Sequence, residues 1–367
     1  MFANIAKFSV IAVAAATLLT GCTPPPPPEV LAAWAEQSPT CIEGDASVFL
    51  PHEVVDAADS LVDAVSLTCD GSDPKTLAAM TATLTESIDE AQIVVSTDGN
   101  FGSQKAYSSV PWAVDAAVLV ANLPNNSALN LTPAIAKGIL DGSITDWSDS
   151  AIAEANPDEA FDAAPIVVSP ESTQNAIDSF SSWMTYLGAK DFKATKLKAQ
   201  QSVGLDVLEN LPEGAVALVP LSLKTEFDIN AEVPFIAAGV LVADPNDPKA
   251  QIAVAADSVG VASSATQMVL SKSSTDLVAT VDHSLAPVPP AGADTADPAY
   301  GAIFAIDMKL VGEDNLVTRA VARYLLRQDE QGVIGSTYLL PLAETQRSEA
   351  LAWVSKGLPE PTNLGDN

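Results

Sequence analysis

Short apolar runs alternate with helix-patterned segments along most of this chain, and no other feature constrains its fold as strongly. The longest run, 113–122, is apolar except for Asp115 and the last residue, Asn122, which is typical of a strand buried on both faces. Amphipathic patterns predict helices at 52–65 and 174–187. Because strands and helices alternate, the sequence indicates an α/β fold built on a mainly parallel sheet.

The same patterns predict further elements. Thr132 and Pro133 supply an N-cap and a first-turn proline, so a helix is expected to begin there. The other predicted helices are 75–88 and 203–210, and the other predicted strands are 46–50, 66–69, 92–96, 165–168 and 214–220. Residues 286–298 are rich in proline and small residues, which predicts a long surface loop.

The N-terminus has the pattern of a secretory signal. Residues 1–21 carry Lys7 and then an apolar run that is shorter than the roughly 20 residues a membrane span needs. The run ends in Leu-Thr-Gly-Cys, which resembles the lipobox of bacterial lipoproteins. That resemblance implies cleavage before Cys22, acylation of Cys22 and an extracytoplasmic, membrane-anchored protein. The alternative is an ordinary signal peptide with a chance cysteine.

A proline-rich segment separates the predicted signal peptide from the rest of the chain. Residues 22–37 include five consecutive prolines, which favour an extended polyproline II tether. With Cys22 acylated, Cys41 and Cys69 remain. Secretion exposes them to an oxidising compartment, so we expect a disulfide between them; two buried free thiols are the alternative.

Charge excludes several classes of function. The chain has 17 Lys and Arg against 47 Asp and Glu, a formal net charge of −30. A nucleic-acid-binding protein needs basic stripes, so that class is excluded, and the acidic surface is expected to keep the protein monomeric. With only two His and three Cys, we predict no metal site and no cofactor. No nucleophile–base pair is recognisable, so we predict no enzymatic activity.

Four segments share one design, in which Ser, Thr or Asp follows a predicted strand or opens a helix. Hydroxyls and free backbone N–H groups at helix N-termini bind anions and polar ligands. For any single loop, helix capping is the favoured explanation of these residues. Four such loops at the carboxyl ends of parallel strands are the usual place for a ligand in an open α/β sheet. The candidate ligand-binding residues are Ser47, Ser72, Ser96, Thr97, Asp98, Ser172 and Thr173.

The middle of the chain resembles the phosphate-binding proteins of ABC importers. Their pattern has an apolar strand ending near Asn-x-Pro, a Leu-Thr helix start, and the block G-x-I-x-x-W-x-D-x-A-I-x-x-x-N-P. The matching segments here are 113–124, 131–132 and 142–157. Segments 44–51, 211–219 and 338–342 are similar to other motifs of the family with less identity. The resemblance extends over about residues 41–356.

This resemblance implies a two-lobed periplasmic-binding-protein-like fold of type II, with a hinge between the lobes. One lobe would comprise residues 38–112 and 299–358, the other residues 113–298, followed by a tail at 359–367. It also implies a phosphate-like anion in the interlobe cleft, held by the four loops, with Asp98 accepting a proton from the ligand. A membrane permease would recognise the closed form of the binding protein.

The fourth loop departs from the family pattern. The family has R-x-D-x-S-G-T where residues 169–175 read SPESTQN, so the arginine and the glycine are missing. An arginine–phosphate clamp is among the strongest charge-assisted contacts, so phosphate is expected to bind weakly unless Lys105 or a lysine of 190–198 substitutes. Two functions therefore stay open: a receptor for phosphate or a related oxyanion, and the same fold binding another small ligand or an envelope partner.

Overall fold

The structure, a computed structural model, describes residues 38–72, 78–244, 246–289 and 299–360. The predictions of a signal peptide, an acylated Cys22 and a tether fall on residues 1–37, outside the described residues. Most of the loop predicted at 286–298 and most of the tail fall outside them as well. In the described part of the chain, no helix is both long and apolar enough to span a bilayer.

Strands and helices alternate as the sequence indicates. The strands are β1 Gly44–Phe49, β2 Met80–Leu84, β3 Ile93–Ser96, β4 Ala106–Ala121, β5 Asn130–Leu131, β6 Val167–Val168, β7 Glu171–Thr173, β8 Lys198–Gln200, β9 Ala215–Pro220, β10 Ile236–Ala237, β11 Gly239–Ala243, β12 Gln251–Val254, β13 Met268–Lys272, β14 Leu277–Val281, β15 Ile303–Val311 and β16 Leu340–Pro341. The α-helices are α1 Val55–Thr68, α2 Pro133–Asp141, α3 Ser150–Ala155, α4 Gln174–Tyr186, α5 Asp206–Glu209, α6 Leu221–Asn230, α7 Ser258–Ser264, α8 Leu316–Tyr324, α9 Gln328–Ile334 and α10 Glu344–Val354. One-turn 3₁₀ helices cover His52–Val54 and Ala265–Gln267.

The main sheet has the strand order β2-β1-β3-β15-β4-β9-β6, with β10 and β16 also paired to β4. Strand β1 is parallel to β2 and β3, and β6 is parallel to β9. Strands β4 and β15 instead run antiparallel to their neighbours. The α/β class is confirmed, but the sheet is mixed rather than mainly parallel, because these two strands return through its centre.

Strand β4 connects the two ends of this sheet. Its residues from Ala106 to Ala116 pair with β15, and its residues from Ala117 to Ala121 pair with β9. Pro111 lies where the register with β15 shifts, between Asp307 and Ile306. A proline lacks the N–H that a central strand donates, and an irregularity of this kind accommodates it. From Val110 onward the strand is buried on both faces, which explains its apolar sequence.

Two predicted elements near the first helix are wrong. Residues 66–68 end α1 instead of forming a strand, and the predicted helix 75–88 contains strand β2. Met-Thr-Ala-Thr-Leu in β2 alternates buried and exposed positions, the period of a half-buried strand. By contrast, α2 begins as predicted, with Thr132 accepting a hydrogen bond from the Ile135 amide and Pro133 in the first turn.

The disulfide between Cys41 and Cys69 is confirmed, with the two Cα atoms 5.5 Å apart. Cys69 follows the last residue of α1, so the bond joins the segment before β1 to the end of a helix and not to a second strand. Next to it, the Met80 amide donates to the Cys69 carbonyl at 3.0 Å. The bond therefore fixes the amino-terminal edge of the sheet.

Three tryptophans in the middle of the chain are buried. Trp112, Trp147 and Trp183 expose at most 4% of their surface. The Trp112 indole N–H donates to the Leu325 carbonyl, and the Trp147 indole N–H donates to the Gly214 carbonyl. The block around Trp147 that resembles the family motif thus has a packing role in this chain.

Candidate functional site

The loop after β3 lies at the carboxyl ends of β1 and β3, where three of the predicted site residues meet. Ser96 Oγ donates to Asp98 Oδ1 at 2.6 Å, and the Asn100 amide donates to the same oxygen at 2.7 Å. Thr97 Oγ1 donates to Glu53 Oε1 at 2.9 Å. These bonds hold the loop rigidly against the 3₁₀ turn that follows β1.

Helix α4 presents a polar face to this loop. The helix is capped by Thr173, whose hydroxyl accepts from the Ala176 amide at 3.2 Å. Its residues Asn175, Asp178, Ser179 and Ser182 are three and four positions apart, a spacing that places them on one side of a helix.

A cavity of about 420 Å³ lies between the loop and this helix face. The hairpin of β13 and β14 and the first half of β15 complete its walls. Its volume falls in the range typical of small-molecule sites. The lining residues are Ser96, Gly99, Phe101, Asn175, Asp178, Ser179, Ser182, Met268, Val278, Ala279, Thr280, Val281, His283, Ile303, Phe304, Ala305 and Asp307.

The charged groups in these walls are acidic. Asp178 is exposed on α4, and Asp307 is largely buried in the middle of β15. Burial raises the pKa of Asp307 to about 6; Lys309 opposes this shift and Asp276 adds to it. Among the described residues that line the cavity, none is Lys or Arg.

His283 supplies a neutral polar group at the same cavity. Its two ring nitrogens are buried and have no hydrogen-bond partner among the described residues, and its ring lies 5.4 Å from that of Tyr186. Burial lowers its pKa, although the neighbouring Asp282 opposes the shift. No group of three His, Cys, Asp or Glu in the described ranges has the arrangement of a metal site.

A second polar cluster surrounds the middle of β4. Asp115 is fully buried and accepts hydrogen bonds from Ser222 Oγ at 2.6 Å and from the amides of Ser222 and Ala116 at 3.2 and 2.7 Å. Burial outweighs these bonds and raises the pKa of Asp115 to about 7. Ser222 lies in the first turn of α6, so the carboxyl group ties β4 to the start of that helix.

His52 connects the turn after β1 with α6. Its Nε2 lies 2.9 Å from Glu226 Oε2, and its Nδ1 lies 3.3 Å from Glu53 Oε2. The hydrogen bond to Glu53, opposed by burial and aided by Glu226, raises the pKa of His52 to about 9. Burial acts to raise the pKa of Glu53, but the bonds from His52 and Thr97 lower it overall. His52 lies in a helix turn as expected, and it also pairs across two elements.

Three predicted site residues lie elsewhere. Ser47 is inside β1, where its hydroxyl donates to the Glu90 carbonyl at 2.8 Å and accepts from the Gln92 amide at 3.1 Å. Ser72 lies in the exposed loop between α1 and β2, at the amino end of the strands, and its amide donates to Asp70 Oδ1. Ser172 is completely buried in β7, and its hydroxyl has no partner among the described residues. Ser47 and Ser72 thus do not follow strand ends as the sequence analysis assumed.

None of the described arginines lines the cavity, and neither do the lysines proposed as replacements for the missing arginine. Arg319 binds Asp314 with two hydrogen bonds of 2.6 and 2.8 Å, and Arg347 binds Glu344 at 2.6 Å. Lys105 and the lysines of 190–198 are exposed and do not line the cavity. Sequence reasoning missed Asp307, His283 and the α4 face. That face could have been predicted from the spacing of the polar residues at 175, 178, 179 and 182, which lie three or four positions apart.

The comparisons with known proteins found likeness in fold. No protein-family model and no curated protein matches the chain. The chain is similar to a putative phosphate ABC transporter substrate-binding protein of Clostridium perfringens, at 15% identity and a TM-score of 0.43 over 82% of this chain and 100% of that one. It is similar to an ABC-type phosphate transport receptor of Vibrio cholerae, at 14% identity and a TM-score of 0.41 over 81% of this chain and 99% of that one. It is also similar to a phosphate-binding protein of Stenotrophomonas maltophilia, at 13% identity and a TM-score of 0.46 over 88% of this chain and 98% of that one.

Proposed function

We propose that this protein is the extracytoplasmic solute-binding receptor of an ABC importer, anchored to the membrane through acylated Cys22. It captures a small polar molecule in the cavity between the loop after β3 and α4. The observation that carries the proposal is this cavity of about 420 Å³. Its polar groups come from distant parts of the chain, which is the arrangement a ligand would draw together.

The proposal includes two lobes that close around the ligand. Residues 38–112 and 299–358 form one lobe and residues 113–298 the other. Support comes from β4, whose pairing partner changes from β15 to β9 between Ala116 and Ala117. Hinge closure around a ligand needs only a few residues that change their backbone angles, and the segment where β4 exchanges partners is the candidate for them. The contact of His52 with Glu226 would then join the two lobes on one side of the cleft.

The ligand has two candidates. Phosphate or a related oxyanion is supported by the sequence resemblance of 113–157 and by the buried, unpartnered hydroxyl of Ser172 at the start of α4. A different small molecule is supported by the walls of the cavity, which carry carboxylates and no Lys or Arg among the described lining residues. The cavity favours the second candidate, because an anion there would meet Asp178 and Asp307 without a compensating cation.

A thermal-shift panel with the full-length protein tests the proposal. The panel contains phosphate, sulfate, phosphonates, sugars and amines, and each compound that raises the melting temperature is repeated with Ser179→Trp, which fills the cavity from α4. The matched control is Ser150→Trp, an exposed serine in α3 outside the cavity.

We expect the stabilising compound to act on the parent and on Ser150→Trp and to lose its effect on Ser179→Trp. A compound that stabilises Ser179→Trp equally would place the binding site elsewhere. For the importer part of the proposal, permease and ATPase genes adjacent to this gene are expected, and their absence would count against transport.

A further inference from the structure

The cavity has a carboxylate at its rim and another in its interior. Asp178 Oδ1, at the exposed rim, accepts a hydrogen bond from Gln174 Nε2 of its own helix at 2.8 Å. Asp307, in the interior, accepts no hydrogen bond from any described residue. Asp307 lies directly opposite Ser96 in the antiparallel pair of β15 and β3, so both side chains point to the same face of the sheet and into the cavity.

The nearest basic group does not compensate Asp307 by direct contact. Lys309, two residues further along β15, lies with its Nζ 3.7 Å from the centre of the Phe101 ring. Its charge lowers the pKa of Asp307, but burial and the charge of Asp276 outweigh it. Asp307 lines the cavity with intermediate exposure, and its carboxylate has no hydrogen-bond partner among the described residues, so the protein itself compensates its charge poorly. A ligand that brings a positive charge to Asp307 would supply this compensation.

The remaining walls define the shape of such a ligand. Phe101, Phe304 and Met268 make part of the cavity apolar, and the unpartnered ring nitrogens of His283 add a polar position. A volume of about 420 Å³ lies in the range of small-molecule sites. The cavity therefore suits a small molecule with one charged end and a compact apolar body.

We propose that the ligand of this cavity is a small organic cation, an ammonium group on a partly apolar skeleton, bound by Asp307 in the interior and Asp178 at the rim. This inference rests on the proposed role as a solute receptor and names its substrate class. The net charge of −30 supports it, since an acidic surface attracts cations and repels anions.

Three probes of nearly equal size and different charge test the inference: phenethylamine, 2-phenylethanol and phenylacetate. Their binding to the full-length protein is measured by calorimetry, with weak binding followed by ligand-observed NMR. We expect the amine to bind at least about 10-fold more tightly than the alcohol, the effect of one charge-assisted hydrogen bond. Phenylacetate is expected to bind most weakly.

Two variants identify the group responsible. Asp307→Asn keeps the shape of the side chain and removes its charge, so it should abolish the preference for the amine over the alcohol. Asp158→Asn removes an exposed charge outside the cavity and should keep the preference. Circular dichroism of both variants controls for folding.

Tighter binding of phenylacetate or phosphate than of the amine would overturn the inference, as would equal binding of the amine to Asp307→Asn. Absence of amine binding at millimolar concentration would overturn it as well. None of these results refutes the receptor itself, which fails only if bound compounds are indifferent to Ser179→Trp.

Discussion

Removal of the Cys41–Cys69 bond is expected to cost about 3.6 kcal/mol of unfolding free energy. The bond joins residues 28 positions apart, so it restricts a loop of that length in the unfolded chain. In the chain-entropy model the bond lowers the entropy of the unfolded chain by about 2.1 plus 1.5R ln 28, or roughly 12 cal/mol/K. At 298 K this entropy corresponds to the expected cost of about 3.6 kcal/mol. Cys69 is buried and Cys41 only partly so, and serine is close in size to cysteine, so packing should add little.

The assay is urea unfolding of the parent and of Cys41→Ser/Cys69→Ser, followed by circular dichroism. The double variant should unfold at lower urea with a nearly unchanged slope, and the parent treated with a reductant should coincide with it. The reasoning would be refuted by a double variant as stable as the oxidised parent. Two alkylatable thiols at Cys41 and Cys69 in the native protein would equally exclude the bond.

Three further predictions concern individual contacts. The pKa of His52 is raised from 6.5 to about 9, so the stability it contributes should be complete below about pH 6.5 and lost as the pH rises through 9. His52→Gln should flatten this window in urea titrations, and an unchanged profile would contradict the pairing of His52 with Glu53 and Glu226. Ser222→Ala should cost about 1–3 kcal/mol in the same assay because the buried Asp115 carboxyl loses a donor, and a cost near zero would contradict that role. If phosphate is the ligand, calorimetry should show weak binding to the parent and about 10- to 150-fold tighter binding to Pro170→Arg. This gain is the effect of one added charge-assisted hydrogen bond of about 1.5–3 kcal/mol. Tight binding of phosphate by the parent would contradict the prediction.

The local elements were predictable where capping and periodicity agreed. The start of α2 followed from Thr132 and Pro133, and α4 was predicted to within one residue of its observed end at Tyr186. The predicted strand 113–122 captured only the apolar part of β4. Ser108, Ser109 and Pro111 extend the strand towards Ala106, because the pairing with β15 outweighs their weak preference for strands.

Strand direction could not be derived from the sequence. Alternating strands and helices predicted a mainly parallel sheet, but β15 is contributed by residues far along the chain and pairs antiparallel with both β3 and β4. The error affected the candidate site, since Asp307 of β15 reaches the cavity only through this pairing. Strand β2 was missed because it lies inside the helix predicted at 75–88. Alternation of buried and exposed residues over only five positions is too short to distinguish a strand from a helix.

The candidate site was predicted in part. Ser96 lines the cavity, Thr97 and Asp98 form its loop, and Thr173 caps the helix that faces it. Ser72 was placed after a strand because 66–69 was predicted as a strand, whereas these residues end α1. Ser47 lies inside the strand that was predicted at 46–50, so it follows no strand end. Whether any of these residues contacts a ligand stays a prediction. The polar face of α4 was predictable from spacing alone, whereas its position opposite the β3 loop depends on the tertiary fold.

The most direct test of the receptor proposal is a crystal structure of the protein with the compound that stabilises it most in the thermal-shift panel. We predict ligand density between the loop after β3 and α4, with a polar atom of the ligand within hydrogen-bond distance of Asp307 and of the face containing Ser179. Density in the apolar cavity beside Trp147 and Phe161, or in the groove beside α6, with the first cavity empty, would contradict the account.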